Sequence, residues 1–169
     1  MKTTTFNWDD DTIDSRDIIE RHEELQEEFD SLVEALEEAE SDFRFVNDSD
    51  ESSLYEYQDA ENTISLAQDA IEDFNLSDNR EELDLLNKVI AQGEDSPDWH
   101  HGETLIHESY FTEYIKNLIV DCYDFPSELT DGKWPFNHLN FDFEGAAEEA
   151  KVDYSTIEAG GETYYIRSV

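Results

Sequence analysis

A single cysteine, Cys122, is the only thiol in the chain. No internal disulfide can form, which fits a reducing cytoplasm. Basic residues are nearly as scarce. Lys and Arg number 10 against 46 Asp and Glu, and no lysine occurs between residues 3 and 87. The resulting formal net charge of -36 repels nucleic acid and anionic membrane and attracts basic surfaces, with long-range steering of the encounter. The expected partner is therefore a basic protein surface, with no direct nucleic-acid binding and no membrane association. No long apolar run is present, and the N-terminus has no apolar stretch of signal-peptide type, so the expected location is the cytoplasm. Signatures of nucleotide and ester chemistry are missing too: there is no P-loop, no G-x-G-x-x-G and no G-x-S-x-G.

Aromatic residues are not lacking. They make up 12% of 169 residues, within a hydrophobic share of 37%. That is too many for a disordered acidic tail, and the length suffices for one modest core or two small units.

Polar residues 1–14 predict a frayed start. Asp14 or Ser15 caps a helix beginning near Arg16. Apolar positions then fall at Ile18, Leu25, Phe29, Leu32, Leu36 and Ala39, with His22 in the remaining slot. The steps alternate four and three, a heptad pattern predicting a helix to about Asp42. Residues 47–53 read as a loop. A second helix over about residues 54–74 places Leu54, Tyr57, Ile64, Ala67, Ile71 and Phe74 on its apolar face. A third, capped by Ser77 or Asp78, runs through Leu83, Leu86 and Ile90 to Gly93. Residues 94–98 read as a linker. Beyond it, residues 108–123 predict an amphipathic helix with Phe111, Ile115, Leu118, Ile119 and Cys122 on its apolar side. Trp134-Pro135 breaks the chain, and a short helix follows near residues 143–150. Gly160-Gly161 between residues 153–159 and 162–167 predicts a β-hairpin with Ile157 opposite Tyr164. The expected fold is thus α+β and mostly helical. It has an antiparallel helical bundle or hairpin in residues 1–93, and a small α+β unit with a C-terminal β-hairpin in residues 99–169.

The strongest functional pattern lies on the first helix. Glu20, Glu23, Glu27, Asp30, Glu34 and Glu37 recur at steps of three and four, away from the apolar stripe, with Glu24 and Glu38 beside them. Over residues 20–38 the eight carboxylates span roughly 27 Å, or about 3.5 to 4 Å each. One strand of B-DNA carries a phosphate about every 3.4 Å. Like charges at i and i+4 repel by a few tenths of a kcal/mol per pair, and this helix has only Arg16 and Arg21 as internal counter-charges. The ladder therefore reads as a DNA-mimicking face that meets cations on a partner. A solvated bundle face is the plainer reading, but such faces usually mix Lys with Glu. Acidity with little lysine also marks salt adaptation. Here, however, residues 1–99 hold 32 acids and 6 bases, and residues 100–169 hold 14 and 4; that asymmetry favours a dedicated surface.

Other clusters carry less. His100, His101 and His107 lie near Glu103 and Glu108. His101 and Glu103 form H-x-E without the P-C-x-x-C of zinc deaminases, and His107-Glu108 does not extend to H-E-x-x-H because Phe111 stands in the fifth place. Asp48, Asp50, Ser52 and Asp59 approach calcium-loop spacing, but Ser53 replaces the required glycine. Cys122 reads as core. Trp99, Trp134, Tyr154, Tyr164 and Tyr165 read as aromatics of a small core. The expectation is a non-enzymatic protein with no catalytic residue, no metal and no cofactor. A metal-dependent enzyme built on the histidine cluster is the remaining chemical alternative.

Three stretches carry a resemblance: DTIDSRDIIERHEELQEEF (residues 11–29), DWHHGETLIHESYFTEYIKNLIVD (98–121) and WPFNHLNFDFEGAAEEAKVDYSTIEAGGETYYIR (134–167). Their G-E-T-L-I, Y-F-x-E-Y, W-P, A-A-x-E, D-Y-x-x-I and G-x-x-Y-x-x-R elements resemble phage- and plasmid-encoded acidic proteins, among them the ArdA-type antirestriction proteins, the latter mainly in the C-terminal half. The resemblance implies an inhibitor that occupies the DNA site of a host restriction–modification enzyme, and it implies a homodimer. The long helical N-terminal half departs from that family. An acidic interaction module, or a chaperone for a basic protein, is the alternative function.

Overall fold

A computed structural model describes residues 7–49, 53–123, 126–130 and 132–168. The elements run β1 (Thr12–Asp14), α1 (Ser15–Asn47), α2 (Leu54–Asn75), α3 (Asp78–Gly93), α4 (Trp99–Gly102), β2 (Thr104–His107), α5 (Phe111–Cys122), α6 (Ser127–Thr130), α7 (Phe143–Ala150), β3 (Tyr154–Ala159) and β4 (Glu162–Arg167). Short 3-10 turns at Glu108–Tyr110 and Lys151–Asp153 precede α5 and β3. The chain divides into two compact units, residues 19–87 and residues 1–18 with 88–169. The division does not fall at residues 94–98.

The first unit is a helical hairpin. α1 has 33 residues, about 50 Å of helix. Its heptad seam is fulfilled at every expected position: Leu25 and Ala39 are buried, and His22, Phe29, Leu32 and Leu36 are half-buried. The helix does not stop near Asp42. Phe43 and Val46 extend the seam by another turn, and both are half-buried. The Phe43 and Tyr57 rings meet at 5.0 Å, and those of Phe29 and Phe74 at 5.2 Å, so α2 runs antiparallel to α1. α3 then continues in the direction of α2. Asn79 donates to Glu28 (3.3 Å), the Arg21 guanidinium donates to Glu82 (2.9 Å), and His22 is hydrogen-bonded to Asn87 (2.9 Å). One long helix is thus matched by two shorter ones laid end to end. Leu54, expected on the apolar face of α2, is 77% exposed. The Tyr57 hydroxyl already reaches Asn47 (3.3 Å), the last residue of α1, so Leu54, one turn earlier, meets no further turn of α1. The α2 start carries a capping box: Ser53 and Glu56 satisfy each other's backbone N–H groups. The expected acidic loop of Asp48, Asp50, Ser52 and Asp59 lies partly outside the described residues.

The second unit is a four-stranded antiparallel sheet of order β1-β2-β4-β3. Gly160 and Gly161 adopt φ of 62° and 92°, the positive angles a two-residue turn needs, and Ile157 pairs with Tyr164 as expected. Residues 12–14 are not frayed. They form β1, with Ile13 buried and paired with Leu105. Alternation along the strands buries both faces. On one, Ile106 and Tyr165 pack with Phe111 and Ile115 of α5 and Ala147 of α7. On the other, Leu105, Ile157, Tyr164 and Ile166 are buried. Gly93 ends α3 where a Cβ would come within 2.2 Å of the Trp99 ring, so only glycine fits. Ser96, in the expected linker, is buried and donates to Glu103 (3.1 Å).

Three residues expected on the apolar side of α5 or in the core lie on the surface: Leu118, 37% exposed, Cys122 and Trp134. Cys122 is exposed, because it stands in the last turn of α5, beyond Ile119, the last residue of that helix in the buried cluster. Trp134 is 84% exposed, whereas Trp99, Tyr164 and Tyr165 are buried and Tyr154 half-buried. Among the described residues no helix is long and apolar enough to cross a membrane.

Candidate partner-binding face

α1 presents the acid ladder because its seam and its acids repeat at the same interval. Residues on a 3.6-residue period keep their side. With the seam of Leu25, Phe29, Leu32, Leu36 and Ala39 turned inward, residues two positions away turn outward. Glu20, Glu23, Glu24, Glu27, Asp30, Glu34, Glu37 and Glu38 are accordingly all exposed. The helix also opens on a pre-formed acid–base pair. Asp14 accepts from the Arg16 backbone N–H (2.9 Å) and from its guanidinium, and the Arg16 guanidinium holds the Asp14 carboxyl below its ordinary range.

The electrostatics of the ladder depend on where the cations go. Residues 19–87 contain 24 acidic residues and three arginines. Each arginine is already engaged inside this unit. Arg21 bonds Glu24 (3.1 Å) and Glu82 (2.9 Å), Arg44 meets Glu40 (3.6 Å), and Arg80 meets Asp84 (3.1 Å) while lying over the Phe29 ring. Of the ladder, Glu24 takes one bond from Arg21 and Asp30 accepts from Gln26 (2.8 Å). Glu20, Glu23, Glu27, Glu34, Glu37 and Glu38 have no cationic partner among the described residues. Such a face offers carboxylate oxygens to an external donor without first breaking an internal pair.

α2 enlarges the acidic surface in a way the first-helix pattern did not reveal. Glu56, Asp59, Glu61, Asp69, Glu72 and Asp73 are all exposed. Their spacing in the sequence is irregular, so no ladder is apparent. Their contribution to this unit follows from the antiparallel pairing of α1 with α2.

The histidine cluster does not converge. His100 and His101 are exposed. The His107 ring is hydrogen-bonded to Ser109 (2.7 Å) and Glu162 (3.1 Å), while Glu103 accepts from Ser96 and from the Thr104 backbone. Among the described residues no group of three His, Cys, Asp or Glu side chains is placed to hold a metal ion. Comparisons with protein families, with curated proteins and with solved structures give no match.

Proposed function

We propose that this protein is a DNA mimic that inhibits a DNA-binding enzyme by occupying its DNA site, with a host restriction–modification enzyme as the target class. The observation that carries the reading is the ladder itself: eight exposed carboxylates on one helix, seven of them without a cation among the described residues. Their axial spacing, about 3.5 to 4 Å, approaches that of phosphates along one DNA strand. A groove built to neutralise phosphates with Lys and Arg would meet a comparable linear charge. The resemblance to antirestriction proteins points to the same class of target. In this role the chain binds and performs no chemistry.

The test is cleavage of a plasmid by a purified type I restriction–modification enzyme with increasing amounts of the protein. Cleavage should fall in proportion to the protein added and recover as salt is raised. Full cleavage at a large molar excess in low salt would refute the reading. Capture of basic proteins that keep their DNA-binding activity would favour the acidic interaction module instead.

A further inference from the structure

The end of the helical hairpin, where α1 gives way to α2, has features the ladder does not explain. Phe45 and Tyr55 are 79% and 81% exposed there, beside the exposed Leu54. Between the two helices lies an open groove of about 280 Å³, whose walls include Asp42, Phe45 and Val46 from α1 and Glu56, Asp59 and Ala60 from α2. That is room for a long side chain and not for a folded element.

The walls are of two kinds. Phe45, Val46 and Ala60 are apolar. Glu56 is committed locally, since the Ser53 N–H and hydroxyl both donate to it (2.7 and 2.8 Å). Asp42 and Asp59 have no cation among the described residues. An apolar occupant would bury these carboxylates without compensation. A second copy of a chain with net charge -36 would add repulsion. A long cationic side chain satisfies both walls: its methylenes lie on Val46 and Ala60, and its head meets Asp42 and Asp59 beside the Phe45 ring. Arginine suits this better than lysine, because a planar guanidinium both stacks on an aromatic face and bonds a carboxylate in two places.

We propose that this groove receives an arginine side chain presented by the protein partner. The inference deepens the DNA-mimic reading and rests on it for the nature of the partner. It adds a site where apolar contact and stacking supplement charge, and hence a contact that survives salt better than the ladder does.

The experiment uses the full chain, isotopically labelled, titrated by NMR with acetylated and amidated tetra-arginine and tetra-lysine peptides. At about 0.3 M salt, where exposed charge pairs are largely screened, tetra-arginine shifts should converge on Ala39, Asp42, Val46, Asp59 and Ala60. Tetra-arginine should bind about threefold more tightly than tetra-lysine, the scale of one exposed cation–π contact. Phe45→Ser should erase that preference. Asp42→Asn with Asp59→Asn should weaken tetra-arginine by about threefold, the scale of an exposed ion pair, while Glu20→Gln, Glu27→Gln and Glu34→Gln together should leave the groove shifts in place. Circular dichroism of each variant checks that helicity is retained at these exposed sites. Shifts spread evenly along α1, equal affinity for the two peptides, or binding indifferent to the Asp42 and Asp59 changes would overturn the groove. Failure of enzyme inhibition with localised tetra-arginine shifts would remove the DNA-mimic reading and leave the groove standing. Inhibition with delocalised shifts would do the reverse.

Discussion

Tyr164 ties the stability of the sheet unit to alkaline pH. It is fully buried, its hydroxyl donates to the Trp8 carbonyl, and the rings of Trp8 and His107 stand edge-on to it at 6.3 and 5.3 Å. Burial, and then the negative charge of Asp10 and Glu162, pushes its hydroxyl up to about 12. The fold keeps the neutral phenol, whereas an unfolded chain ionises near the ordinary tyrosine value of about 10. This contribution to stability is therefore complete below about pH 10 and is lost as pH rises from there through the folded value. Tyr164→Phe should lower stability at neutral pH by about 1–3 kcal/mol, because the Trp8 carbonyl loses that donor. The variant should also lose stability less steeply above pH 10. Denaturant melts across that range check both expectations, and identical alkaline slopes in the two proteins would contradict the burial argument. Cys122 gives a second test at this scale. As an exposed residue in the last turn of α5, it should react with a thiol reagent in the native protein nearly as fast as in the unfolded chain. Cys122→Ser should change stability by less than about 0.5 kcal/mol. Strong protection of the thiol would show that something covers that end of α5.

Among the elements, α1 carries both the architecture and the proposed function, and they are separable. Glu20→Gln, Glu27→Gln and Glu34→Gln together keep helix propensity nearly unchanged and remove like-charge repulsion along the exposed face. The triple variant should melt at the same temperature as the native protein or slightly above it, and should nonetheless bind its partner less tightly. Glu94, Glu144 and Glu149 are the appropriate comparison. All three are exposed and lie outside the helical hairpin, whereas Glu148 and Glu162 are tied to Lys151 and His107. Their triple change to Gln should have the smaller effect on binding. Equal losses, measured as affinity beside thermal melts, would remove the ladder from the mechanism. The same helix shows what was legible in the sequence. A strict three-and-four rhythm specified the seam and, two residues away, the exposed carboxylates. Gly160-Gly161 specified the register of β3 and β4, because a two-residue turn leaves one pairing. By contrast, β1 and β2 have only three and four residues. Their pairing of Thr12 with Ile106 is a long-range contact with no local signal. The groove beside Phe45 was equally hidden, since it exists only once Glu56, Asp59 and Ala60 of α2 are brought against α1.

At the scale of the whole molecule, charge is unevenly shared between the two units. Residues 19–87 carry a net -21 and the remaining residues -15. A partner with a basic groove would be steered toward the chain from a distance, and the attraction would be screened within about 8 Å at physiological ionic strength. If the helical hairpin occupies a DNA site, the protein and DNA compete for the same cations, and both associations release counterions. The most direct test is displacement of a fluorescent duplex from a type I restriction–modification enzyme, followed by anisotropy at several salt concentrations. DNA mimicry predicts that the protein displaces the duplex completely, that its affinity falls steeply with salt, and that the Glu20, Glu27 and Glu34 triple variant is both weaker and less salt-dependent. A duplex that stays bound at saturating protein in low salt, or a triple variant that displaces it as well as the native chain, would contradict it.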